Sequence, residues 1–595
     1  MSRGPRSQPS HNGAGAGVFL AVVSAVVGGG SLLVWIAGAI GGVAAGHGPV
    51  LVSLSDAGAV LAELPSHLDD PARAWPAPVR GELPDRTPML ASLVVTLGLL
   101  VALAVTALWL VGRVRGVGGA KARRAARWAA ARDLRQLRVK GPRRGRVILG
   151  RYQRQLVASE PRTSVLVVAP TQSGKTTSLV VPAILEWDGP VLATSIKADL
   201  VQDTLAARSR RGETKLFDPT NSTGLPTAPW SPIAASTSWS AARRTAAGIL
   251  LIREKDAFAA SVDDRHWKPA AARLLAPVLL AAAHSSRPMG DVLRWLARLE
   301  AESTVDKIAD VLATCGADGA DVALDVLLGL QDRDSRYRSS VIATLETALD
   351  PWLEPSVARA TGIAGGIDPQ WLLDGSNTLY LSAPAYDQHR LSGLFTALIN
   401  AVVEAAFARS SRTGQPIDPP LLLCLDEAAN VAPLPNLGEI ASTAAGQGVQ
   451  VLSVFQNLSQ ISERWGRDRA ETVMANHVAR LFGSGIADRA TLDYLGAVLG
   501  EEEIEKVSTH RQRLELNLGS RTYSKDFKRL AAPDRVRQAE RDTALLVYGN
   551  IAPAWISLRP WYRDRALRAQ VTAACAPAPA VEPSVVEDVV AEDVT

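Results

Sequence analysis

Three features of the sequence predict an α/β fold class. Two long uncharged runs precede residue 113, a short β-branched strand opens into a Gly-Lys-Thr loop, and an Ala/Leu-rich interval of about 250 residues separates that loop from the next acid-tipped strand. Together they describe a parallel-sheet core with an inserted all-α domain, preceded by two N-terminal transmembrane helices. At 595 residues the chain is too long for one compact domain, and three or four folding units are expected. The three cysteines, Cys315, Cys424 and Cys575, are too scattered for a disulfide framework or a zinc cluster, which fits a reducing cytoplasm.

The membrane end comes first. Gly17 to Ala45 carries no charge over about 29 residues, more than the ~20 that span a bilayer. It is also longer than the ~7–15 apolar residues of a signal peptide, although Arg3 and Arg6 precede it. Met89 to Gly112 is a second uncharged run. Gly38 and Gly42 form a GxxxG pair that would admit a neighbouring helix, and the glycine richness of the whole segment accounts for the pair equally well. The loop between the runs holds six acids (Asp56, Glu63, Asp69, Asp70, Glu82, Asp85) and three arginines (Arg73, Arg80, Arg86). Arg113 to Arg146 holds thirteen Lys/Arg against one acid, Asp133. The positive-inside rule places that basic side in the cytoplasm. This gives a cytoplasmic N-terminus (1–16), a transmembrane hairpin (17–112) with an outward loop at about 46–88, and a basic juxtamembrane segment (113–146).

Charge bookkeeping limits what the basic pI means. The N-terminus contributes +2, the loop −3 and the juxtamembrane segment +12, so an overall +5 leaves about −6 from Val147 onward. The basic segment suits anionic lipid headgroups. Any nucleic-acid contact of the soluble part needs a local patch or a pore.

Thr163 to Val168 reads as a buried parallel strand bounded by Pro161 and Pro170. Ala169-Pro170-Thr171-Gln172-Ser173-Gly174-Lys175-Thr176-Thr177 follows, then a helical stretch from Ser178 to Trp187. Strand, loop and helix in this order are the setting of a Walker A phosphate-binding loop. Backbone N–H groups of residues 169–177 would cradle phosphates, Lys175 would reach the β- and γ-phosphates of ATP, and the Thr176 hydroxyl would ligate Mg²⁺. Ala169 stands where the first glycine is usual. The Walker B partner is Leu421 to Leu425 followed by Asp426 and Glu427, with Asp426 on Mg²⁺ and Glu427 as general base. Val449 to Phe455 is the next core strand, and Gln456 at its tip is suited to sensing the γ-phosphate.

Elsewhere, Gly189 to Thr194, Lys215 to Pro219 and Thr378 to Ser382 read as strands, and Leu391 to Ala408 as a long helix. Amphipathic stretches such as Lys268 to Ala283 and Ser339 to Leu349 mark residues 240–355 as the all-α domain. The nucleotide-binding domain is then 147–239 with 356–570. Ala544 to Tyr548 and Ala554 to Leu558 form a hairpin around Gly549-Asn550. Ala-Pro repeats with scattered acids make 571–595 a disordered acidic tail.

Taken in order, these motifs resemble the type IV coupling proteins of the TraG/TraD kind. Further stretches carry the likeness: Ser195-Ile-Lys-Ala-Asp-Leu200, Phe217-Asp-Pro219 with Trp230-Ser-Pro-Ile233, Gln456-Asn-Leu-Ser-Gln460, Asn476, Phe482-Gly483, Tyr548-Gly549 and Pro560-Trp-Tyr-Arg-Asp564. The resemblance spans roughly Gly17 to Asp564. It implies a RecA-like P-loop NTPase core with an inserted all-α domain and two N-terminal transmembrane helices. It further implies a homohexameric ATPase of the inner (plasma) membrane, multi-pass, with the bulk of the chain cytoplasmic. Such an ATPase recruits single-stranded DNA with a relaxase-type protein and feeds it to type IV secretion channel components, using ATP and Mg²⁺, with Lys175, Glu427 and Gln456 catalytic. One departure stands out. Gly438 to Phe455 contains no Arg or Lys where the family can place an arginine that reaches a neighbour's site, so Arg464 and Arg480 are the candidates and basal hydrolysis is expected to be slow. Three alternatives stay open: a non-hydrolysing docking receptor of the same apparatus, an FtsK-type DNA pump, and a protein-only secretion motor.

Overall fold

The computed structural model describes residues 14–118, 126–252, 267–362, 366–510 and 520–574. They divide into two compact units, Met1–Arg124 and Ala125–Thr595.

In the first unit, helices α1 (Ala14–Ala44) and α3 (Arg86–Gly118) are 31 and 33 residues long, and α2 (Leu54–Glu63) lies between them. The stretch expected as an outward loop is folded: Trp75 is fully buried and shares a small core with Val34, Val50, Val60 and Met89. Glycines of α1 make that core possible. A Cβ on Gly38 would lie 2.9 Å from the Trp75 indole nitrogen, and one on Gly42 would meet Val50 at 2.5 Å. The GxxxG face therefore receives the segment between the two helices. Gly41 faces α3 through Met89, and the Ala37 carbonyl accepts from Ser92 of that helix.

Among the described residues, the one helix long and apolar enough to cross a membrane is Gln388–Thr413, and 72% of its apolar window is buried within the second unit. It is a core helix. The described apolar parts of α1 and α3, Gly28–Ala44 and Arg86–Leu99, are shorter than a span. The crossings expected there rest on the sequence.

The second unit is built on a twelve-stranded sheet. Its strands are β1 (Arg138–Val139), β2 (Ile148–Tyr152), β3 (Gln155–Ala158), β4 (Val165–Val168), β5 (Val191–Ser195), β6 (Thr214–Phe217), β7 (Thr378–Ser382), β8 (Leu421–Leu425), β9 (Val449–Phe455), β10 (Ala479–Gly483), and, after a separate two-stranded ladder of β11 (Glu501–His510) and β12 (Ser520–Arg529), β13 (Thr543–Tyr548) and β14 (Ile551–Ser557). The spatial order is β1-β3-β2-β14-β13-β10-β4-β9-β8-β5-β7-β6. From β10 to β6 every pairing is parallel. From β10 back through β13 to β1 every pairing is antiparallel. β4, β5, β7, β8 and β9 are buried along their whole length, as strands covered on both faces must be.

Side chains alternate across the sheet. Val165 and Val167 pack on one face with the helices α4 (Val181–Glu186) and α5 (Ala198–Ser209), while Leu166 and Val168 join the opposite face. That opposite face is covered by Gln388–Thr413 and by the helical interval between β6 and β7, which runs from Trp239–Ile249 through Trp267–His284 and Ser335–Leu349 to Pro355–Ala360. The helices share one continuous hydrophobic core with the sheet. Contact is tightest at Gly393 and Gly248: a Cβ on the first would collide with the carbonyl oxygen of Ile249, and one on the second would come within 2.8 Å of the Ala397 backbone.

Two expected boundaries move. Residues 126–146, read as part of a basic membrane-proximal arm, belong to the folded second unit. Leu134 and Leu137 are fully buried, the Ala129 N–H donates to the Pro553 carbonyl at 2.8 Å, and Trp128 stacks near Trp555 with ring centroids 6.1 Å apart. Charge counting had hidden these apolar anchors. At the other end, Arg565–Ala574 is helical and Val571 is buried, so order continues past 571. The rest of the acidic tail (575–595) and the N-terminal residues 1–13 lie outside the described residues.

Candidate nucleotide site

The chain passes from β4 to β5 on one side of the sheet and returns to β10 on the other. Open α/β sheets bind ligands at such a reversal, outside the carboxyl ends of the strands. There, a cavity of about 360 Å³ is lined by residues 171–177, by Ser195 to Lys197, Asp199, Leu200 and Asp203, and by Asp426, Glu427 and Gln456.

The loop is held by its own polar groups. Ser173 Oγ donates to the Pro170 carbonyl at 2.7 Å, and Lys175 Nζ donates to the carbonyls of Ala169 and Pro170, both at 2.8 Å. Gln172 (φ 61°) and Gly174 (φ 81°) take the left-handed conformation that wraps backbone N–H groups toward the cavity. The helix begins as a wide π turn, Thr176–Val180, before continuing as α4. Pro182, which lacks an N–H, sits at the join. Ala169 is accommodated by a neighbour: a Cβ on Gly483 of β10 would stand 2.5 Å from the Ala169 methyl, so the glycine missing from the loop reappears on the adjacent strand.

Thr176 and Asp426 lie 250 residues apart in the chain, and their side chains meet, Oγ1 donating to Oδ2 at 2.8 Å. Thr194 at the end of β5 fixes the Asp426 backbone by donating to its carbonyl at 2.9 Å. Asp426 Oδ1 is buried without a partner. Burial pushes the Asp426 carboxyl up to about 6, against the Thr176 hydrogen bond. A hydroxyl and a desolvated carboxylate with a free oxygen suit a hard divalent cation, whose charge would offset that burial. The Lys175 amine is lowered by burial, opposed by Glu427 and Asp426. Glu427 is itself left-handed (φ 57°) and buried, and the Gln456 amide donates to both of its carboxylate oxygens, at 3.0 and 3.1 Å.

All nine loop positions from Ala169 to Thr177 lie in this stretch. Lys175, Thr176, Asp426, Glu427 and Gln456 line one cavity, while Ala169 and Pro170 serve it through their carbonyls. The candidate arginines do not line it. Arg464 Nε donates to the Ala429 carbonyl at 2.9 Å and its terminal nitrogen meets His389 Nδ1 at 2.9 Å, while Arg480 donates to the Tyr494 hydroxyl at 2.5 Å. Sequence reasoning missed the wall formed by Lys197, Asp199 and Asp203. Its signal was the polar stretch directly after β5, at a strand's carboxyl end. The Pro560 to Asp564 segment packs on the P-loop helix, where the Trp561 backbone N–H donates to the Thr177 carbonyl at 3.0 Å.

Sheet and loop together define a P-loop α/β protein. A family model described as Type IV secretory system Conjugative DNA transfer matches residues 125–586, and the chain belongs to that family. Curated relatives include a conjugal transfer protein TraG of Escherichia coli, 26% identical over 397 residues, which are 62% of this chain and 60% of that protein. A VirD4 protein of Rhizobium rhizogenes is 22% identical over 74% of this chain and 66% of its own length. Similar solved structures include the plasmid coupling protein TrwB in complex with ADP and Mg²⁺ (18% identity, TM-score 0.53, 74% of this chain and 95% of that one). TrwB in complex with the non-hydrolysable GTP analogue GDPNP is alike at 19% identity and the same TM-score. At these identities the likeness is one of fold.

Proposed function

We propose that this chain is a membrane-anchored ATPase that engages DNA or a DNA–protein substrate and drives it through a conjugative type IV secretion channel. The observation that carries the reading is the meeting of Thr176 with Asp426 in a cavity shared by Lys175, Glu427 and Gln456. Family membership supports the transfer role. In the mechanism, the loop N–H groups and Lys175 hold the phosphates, the amine exchanging its two carbonyl partners for phosphate oxygens. Thr176 and Asp426 would hold Mg²⁺, which when bound would supply charge neutralisation for the phosphates. Glu427 takes a proton from the attacking water as its oxygen bonds to the γ-phosphorus and the bond to the β–γ bridging oxygen breaks, giving ADP and phosphate. Gln456, on Glu427 and next to the helix Leu458–Trp465, couples the state of the site to movement.

In this reading α1 and α3 cross the plasma membrane with both termini cytoplasmic, and the helical interval 240–355 docks a relaxase-type protein and single-stranded DNA. Six copies surround the path. Lys175→Ala should abolish hydrolysis and transfer while the protein still fractionates with membranes. Full transfer by that variant would sink the motor role. An ATPase assay with and without single-stranded DNA separates the motor from a non-hydrolysing receptor.

A further inference from the structure

Phosphoryl transfer spreads charge over the γ-phosphoryl oxygens, and motors of this chemistry generally use a second cation besides the loop lysine. Gly438 to Phe455 offers none. Arg464 and Arg480 are bonded to groups of their own fold. The cavity lining contains two basic residues, Lys175 and Lys197.

Lys197 follows the tip of β5, beyond the Walker B strand β8 in the sheet, so it faces the loop across the carboxylates. Its backbone is fixed on both sides by one hydroxyl: the Lys197 N–H donates to Ser195 Oγ at 3.2 Å, and that hydroxyl donates to the Lys197 carbonyl at 2.6 Å. Ser195 is buried, while the Lys197 side chain is exposed at the cavity and enters no ion pair among the described residues. It also reduces the excess of negative charge in the lining. Asp199, Asp203, Asp426 and Glu427 set four carboxylates against Lys175 alone if Lys197 is discounted, a poor receptacle for a polyphosphate.

The geometry points to Lys197 as the second cation of the site, donating from the same chain to the γ-phosphoryl oxygens and standing in for the missing arginine. This rests on the ATPase reading above. Lys197→Ala should lower kcat about 100-fold, with KM for ATP within about threefold and with unchanged binding of a fluorescent ATP analogue, because the interaction strengthens in the transition state. Lys197→Arg should recover most of the rate. Two outcomes overturn the proposal: hydrolysis by Lys197→Ala within twofold of wild type, or a loss confined to analogue binding and melting temperature that Arg does not restore. Absence of hydrolysis by the wild-type protein, with and without single-stranded DNA, would instead overturn the ATPase reading itself.

Discussion

The two halves of the large sheet solve different problems. The parallel half, β10 to β6, presents the ends of β4, β5, β8 and β9 to the cavity, and its fully buried strands are read off the sequence as apolar runs. The antiparallel half, β1 to β3 with β14 and β13, is assembled from two stretches of chain that flank the rest, residues 138–158 and 543–557. Each half contains a buried arginine, and the partners differ. Arg208 in the parallel half gives its donors to neutral acceptors: the carbonyls of Trp187, Gly189 and Ser376, and the Thr378 hydroxyl. Lacking a carboxylate, its guanidinium is lowered by burial to about 10. Arg559, directly after β14 and its neighbour Leu558, is bidentate to Glu186 at 2.8 and 3.0 Å and also meets Asp564 at 3.1 Å. Glu186 ends the P-loop helix, so the antiparallel half clamps the element that begins at Lys175. The half that lines no part of the cavity holds its loop in place.

The strongest way to break the contrast is Arg559→Met. It strands the buried Glu186 carboxylate, leaves Asp564 to Arg151 alone, and should cost about 3–5 kcal/mol at neutral pH. Asp564 is held below its ordinary range by Arg559 and Arg151 against burial, so its contribution is present above the unfolded carboxylate pKa and is lost as pH falls through the folded one. The penalty of the variant, measured by denaturant unfolding, should therefore shrink on acidification, and nucleotide affinity should fall with it. Arg208→Met should cost somewhat less, about 3 kcal/mol, because carbonyls alone are left unpaired. Its penalty should be flat between pH 5 and 8, and a strongly pH-dependent loss would refute the distinction.

His477 lies near the seam of the halves, fully buried, with Ser453 Oγ at 3.1 Å and the Val473 carbonyl at 2.7 Å. Burial pushes its imidazole down to about 4. A group protonated more readily when unfolded withdraws stability as pH falls from about 6.5 toward 4, roughly 2 kcal/mol between pH 7 and 5. His477→Gln should flatten that part of the wild-type curve. The smallest effect is expected at Gly483→Ala, about 1–2 kcal/mol from the clash with the Ala169 methyl. Ala169→Gly should relieve it in the double variant, and additive losses would rule out the direct contact.

Legibility followed physical cause. Strands covered on both faces had to be continuous apolar runs, so β4, β5, β7, β8 and β9 stood out, and the hairpin of β13 and β14 announced itself through Gly549-Asn550. β1 to β3 did not, since short strands at a sheet edge carry mixed residues that are not distinguished from loop. The folded stretch around Trp75 was hidden by its own charge pattern, which spoke only of topology.

The sequence by itself determined the Gly-Lys-Thr loop after β4, the acid-tipped strand β8 and the glutamine after β9, because backbone geometry and charge restrict which residues can stand there. Only the tertiary structure decided that Gly483 makes room for Ala169, that Gln456 rests on Glu427, that the two candidate arginines are engaged elsewhere and that Lys197 faces the loop. Those are contacts between segments far apart in the chain, and spacing along a sequence carries no information about which strand ends the fold brings side by side.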